Sequence, residues 1–94
     1  MNTLKRYMIE RDIAGIGGMS SVELCGAART SNQAIAKIGA GVQWQHSYVA
    51  GDKTFCIYLA DSEASIRKHS ELSGIPFTKI TPIPSVIDPT TANN

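Results

Sequence analysis

The sequence predicts an α+β domain in which two helices lie on one face of a four-stranded antiparallel sheet. Three observations lead there: a β-hairpin over residues 42–60, two capped stretches of 3.6-residue apolar periodicity, and a β-rich segment at each end of the chain. At 94 residues the chain makes one domain, 1–94, with a tail from about residue 88. A domain this small buries only about two-thirds of its unfolded surface, so association with a second copy would help it.

The first strand is expected over residues 7–13, with Tyr7, Ile9 and Ile13 on one face and Met8, Glu10 and Asp12 on the other. Gly15, Gly17 and Gly18 follow in a connection that lacks both the G-x-G-x-x-G order and a Walker Lys-Ser/Thr, which argues against a phosphate loop. Ser20 and Glu23 then have the spacing of a capping box, each side chain reaching the other's backbone amide. From there Leu24, Ala28, Ser31, Ile35 and Ile38 trace one helical stripe, and Gly39 and Gly41 stop it. Cys25 lies beside that stripe among small residues and is expected to be an inert, buried thiol.

The hairpin turns at Ala50-Gly51-Asp52-Lys53, where Gly and Asp readily take positive backbone angles. Strict alternation in its first strand would put Val42, Trp44, His46 and Tyr48 on one face, two large aromatics with an imidazole between them. Its second strand carries Phe55, Cys56 and Tyr58. Loop parity decides whether His46 shares a side with Cys56 or with Ile57, and so whether a thiol meets the imidazole. Ser62 caps a second helix that ends near Ser73, with Gly74 as its left-handed terminator and Pro76 beyond. Ile66, His69 and Leu72 are spaced by three on that helix, so His69 belongs to or borders the apolar stripe. The last β-rich run, 77–87, is broken by Pro82 and Pro84, whose missing amides suit an edge strand only.

Strand, helix, strand, strand, helix, strand with right-handed crossovers is the ferredoxin-like βαββαβ arrangement, with the first and third strands central. Both helices then cover one face, and a second copy is the simplest cover for the other, giving a homodimeric α/β barrel. The formal net charge is +1 with scattered basic residues, which indicates neither nucleic acid nor an anionic membrane as partner. Cys25 and Cys56 lack a C-x-x-C spacing, no segment has the apolar length of a membrane span, and no secretory h-region follows the first residues. These features point to a cytoplasmic protein.

Beyond the fold, Y-M-I-E-R-D-I near the start, W-x-H-S-Y-V and D-x-x-x-C-x-Y-x-A in the hairpin, I-R-K-H and G-I-P around the second helix end, and V-I-D-P-T-T resemble a family of small ferredoxin-like bacterial proteins. That family was formerly known as a domain of unknown function and is also described as nickel-binding. The sequence differs from its pattern at Lys68 and Ser70, where Glu and Ala are commoner, and in the glycine-rich first loop. The resemblance implies a divalent transition metal, nickel(II), as ligand. Nickel favours imidazole nitrogen and oxygen donors. In this chain that makes His46 the first candidate ligand and His69 the second, with Glu10, Glu63 and Asp88 as oxygen candidates.

Two other readings compete with metal binding. In one, Trp44, Tyr48, Phe55, Cys56 and Tyr58 line a small-molecule pocket in which His46 acts as acid or base without a cofactor. In the other, the bare sheet face is only an assembly interface and the histidines are structural.

Overall fold

The computed structural model describes residues 3–39 and 41–93; both helices start at their serine caps, while the first strand starts earlier than expected, at Lys5, and ends at Asp12 instead of residue 13. The order is β1 (Lys5–Asp12), a 3-10 turn (Ile16–Gly18), α1 (Ser21–Ile38), β2 (Val42–Ala50), β3 (Lys53–Ala60), α2 (Glu63–Ser73), β4 (Lys79–Ile83) and a second 3-10 turn (Pro89–Asn93). The capping box of α1 is complete, with the Glu23 amide donating to Ser20 Oγ at 3.2 Å and the Ser20 amide to Glu23 Oε1 at 3.0 Å. Ser62 caps α2, and Gly74 closes it at φ 72°.

The strands pair in the order β2-β3-β1-β4, and every pair is antiparallel. The fold is therefore ferredoxin-like, with β1 and β3 central. The proline-bearing β4 is an edge, as its missing amides require, and it is shorter than the β-rich run that contains it. Beyond it the chain is exposed, Ile87 to 79%.

Register sorts the side chains. Tyr7, Ile9, Cys56, Tyr58, Ala60 and Val42 point to the helices and join Ile66 of α2 in the core. Between Trp44 and His46 the β2–β3 register shifts by one residue at a β-bulge, since Trp44 pairs with Tyr58 but His46 pairs with Ile57. A bulge inserts an unpaired residue and inverts the alternation beyond it. The expected single face of Val42, Trp44, His46 and Tyr48 is thus split: Val42 and Trp44 face the helices, and His46 and Tyr48 face away from them. The open face also carries Met8, Glu10, Phe55 and Ile57.

Cys56 is buried as expected, but Cys25 is exposed. On α1 the residues turned to the sheet include Ala27, Ala28, Ser31 and Ala34, and Cys25 falls outside that stripe. The glycine-rich connection has a packing role. A Cβ on Gly17 would lie 2.5 Å from the Gly51 carbonyl oxygen, and the Ile13 and Gly15 amides donate to the backbone oxygen and Oδ1 of Asp52. The loop after β1 is thereby fastened to the hairpin turn, which permits no bulk at residue 17.

Candidate functional site

One histidine lies on each side of the sheet. His46, exposed on the open face, has Nε2 3.2 Å from the Tyr48 hydroxyl, and the two rings meet edge to face with centroids 5.1 Å apart. Tyr48 is itself 60% exposed. Glu10 shares this face on β1, separated from His46 by the width of β3, roughly 10 Å for two strand spacings. Cys56 is on the other side, so no thiol faces the His46 imidazole, and a Cys/His nucleophilic pair does not form.

His69 is 1% exposed, held between α2, α1 and β3. Its Nε2 is 3.0 Å from Ser31 Oγ, which is 3.5 Å from the Tyr58 hydroxyl, while Nδ1 has no hydrogen-bond partner. Burial lowers the His69 pKa below its ordinary value near 6.5, and the nearby positive charge of Arg11 lowers it further, so the ring is neutral at pH 7. Burial likewise raises the Tyr58 pKa and keeps the phenol protonated.

The oxygen candidates are dispersed. Glu63 accepts from Arg67 Nη2 at 3.0 Å, one helical turn on. Asp88 caps the last 3-10 turn, accepting from the Thr90 amide at 2.8 Å, and hydrogen bonds from the Thr90 hydroxyl and amide hold its pKa below the ordinary carboxylate value. Among the described residues no three His, Cys, Asp or Glu side chains converge where one ion could touch them all. The described residues therefore present one exposed imidazole, His46, and no ready-made cluster of ligands around it.

The aromatic pocket is also divided. Trp44, Cys56 and Tyr58 line a cavity of about 220 Å³ between α1 and the sheet, whereas Tyr48 and Phe55 belong to the open face. That cavity contains a residue the sequence reading did not single out, Arg11, 3% exposed. Its Nη1 donates to the Ile75 carbonyl at 2.8 Å and lies 3.2 Å from both the Pro76 carbonyl and Ser70 Oγ, while Nη2 has no partner. The signal for it was strand alternation: Tyr7, Ile9 and Ile13 define the apolar face of β1, and residue 11 falls on that same face.

Residues 7–83 match the family described as nickel responsive protein SCO4226-like, and the chain belongs to that family. Among solved structures, the crystal structure of SCO4226 from Streptomyces coelicolor A3(2) superposes with a TM-score of 0.70, covering 87% of this chain and 99% of that chain. The two are 19% identical in sequence, a likeness that establishes the fold. No curated protein matches the chain.

Proposed function

We propose that this member of the nickel responsive family is a small cytoplasmic protein that binds nickel(II) as a homodimer, with His46 as its imidazole ligand. The observation that carries the reading is the accessible His46 imidazole on a sheet face that no helix covers. Half-buried Met8, Phe55 and Ile57 beside it give that face the apolar character of an interface. Closing two such faces into an α/β barrel would double the donors available, adding the second His46 and the second Glu10. Two free cysteines on separate elements suit a reducing compartment.

Isothermal titration of nickel into the tag-free protein, with sedimentation to give its mass, tests this reading. The expected result is a dimer that binds nickel, with at least about a tenfold loss of affinity in His46→Ala, equivalent to about 1.4 kcal/mol. His69→Ala should leave the affinity of the folded fraction unchanged. A wild-type protein that takes up no nickel, or a His46→Ala variant that binds as tightly, would end the proposal.

A further inference from the structure

The geometry points to the cavity beneath α1 as a binding site for a small monocarboxylate with an apolar body, the carboxylate held by Arg11. The cavity is bounded by β1, β2 and β3 below and α1 above, with His69 of α2 and Ile75 closing one end. It lies on the opposite side of the sheet from His46, so the inference is independent of nickel binding.

Charge identifies the kind of ligand. A guanidinium stays protonated at any physiological pH, and a buried cation without a counter-charge is expensive. The ion pairs among the described residues are Lys53 with Asp12 and Arg67 with Glu63; Arg11 has no acid within reach, and no Asp or Glu lines the cavity. Its Nη1 is engaged by neutral oxygens, but Nη2 is buried and unpartnered. His69 and Tyr58 are both neutral at pH 7 and cannot offset it. A carboxylate drawn to the wall that Arg11 contributes would supply the missing counter-charge at short range.

The remaining walls decide the body of the ligand. Ile16, Leu24, Ala27, Ala28, Val49 and Ile75 are apolar, so a fully hydrated dianion such as phosphate would lose more solvation than one guanidinium returns. A volume of about 220 Å³ accepts a molecule smaller than a nucleotide or a drug. Exposed Val49 and half-buried Leu24 and Trp44 mark an entrance between α1 and the edge strand β2.

Trp44 is the only tryptophan, lines the cavity and donates its indole N–H to Ser47 Oγ at 2.9 Å, so its fluorescence reports occupancy. The test titrates the metal-free full chain with hexanoate and phenylacetate, and in parallel with the corresponding amides and inorganic phosphate. We expect a saturable Trp44 response to at least one acid, weakened about tenfold or more for its amide and for phosphate. Arg11→Met should weaken the acid comparably while circular dichroism shows a native fold, and Ala28→Leu, which fills the cavity and keeps Arg11, should abolish the response. Because Arg11 also ties down the segment after α2, its variant can fail to fold; the acid–amide difference and Ala28→Leu then decide alone. No saturation with either acid, equal affinity for acid and amide, or unchanged binding in Ala28→Leu would overturn the inference.

Discussion

The two faces of one sheet have opposite relations to water, and the two histidines mark the difference. On the helix side, His69 is locked to Ser31 and kept neutral by burial and by Arg11, within a core of Ile9, Val42 and Ile66. On the open side, His46 has only Tyr48 beside it and half-buried apolar neighbours. The same residue type is thus a packing element on one face and an exposed side chain on the other. What separates the roles is the layer above the strand, not the strand's composition.

Mutations on the two faces should fail in different ways. Ile66→Ala, at a fully buried site, should cost about 2–5 kcal/mol of stability in urea denaturation at any protein concentration. His69→Ala should follow at about 2–3 kcal/mol, since it opens a cavity and leaves the Ser31 hydroxyl without its imidazole. On the open face, Ile57→Asp should convert the proposed dimer to monomer in sedimentation, and its effect on stability should depend on protein concentration. A wild-type protein with the mass of a monomer would show that no second copy covers the open face.

Acid should expose the same asymmetry. His69 has a folded pKa below its unfolded value near 6.5, so the unfolded chain binds the extra proton first. The stability this contributes is fully present above pH 6.5 and is lost as pH falls from there through the folded pKa. Denaturation midpoints between pH 8 and pH 5 should therefore decline on the acid side, and His69→Gln should flatten that decline. The smallest effect is expected at His46→Ala, within about 0.5 kcal/mol for the isolated protomer, because an exposed side chain with one surface contact supports little packing.

Capping explains why the helices were legible. Ser20 with Glu23, and Ser62 with Gly74, are local devices that act over a turn of chain, and each appears where its spacing indicates. The hairpin and the edge position of β4 were legible for a similar reason, since Gly51 and the prolines constrain their own backbone. The exposure of Cys25 was not, because a small residue at the margin of a helical stripe packs or not according to how the helix is rolled on the sheet.

The candidate site shows a sharper limit. Residues 42–48 alternate without interruption in the sequence, yet the bulge between Trp44 and His46 sends the two rings to opposite faces. A bulge depends on how the partner strand is paired, and nothing in β2 alone announces it. Arg11 is a related case: alternation places it on the apolar face, but its lack of a counter-charge emerges only once the neighbours from α1, α2 and β3 are assembled.

Caps, turn residues and apolar periods act within a few residues of themselves, so the amino-acid order alone carried the set of elements, the helix starts and the ferredoxin-like sequence of strands, but not the strand ends. Which side chains meet was settled in three dimensions: His46 with open space, His69 with Ser31, Arg11 with a cavity and no acid. Those outcomes depend on strand register and on the roll of the helices over the sheet, which are set by contacts between residues tens of positions apart.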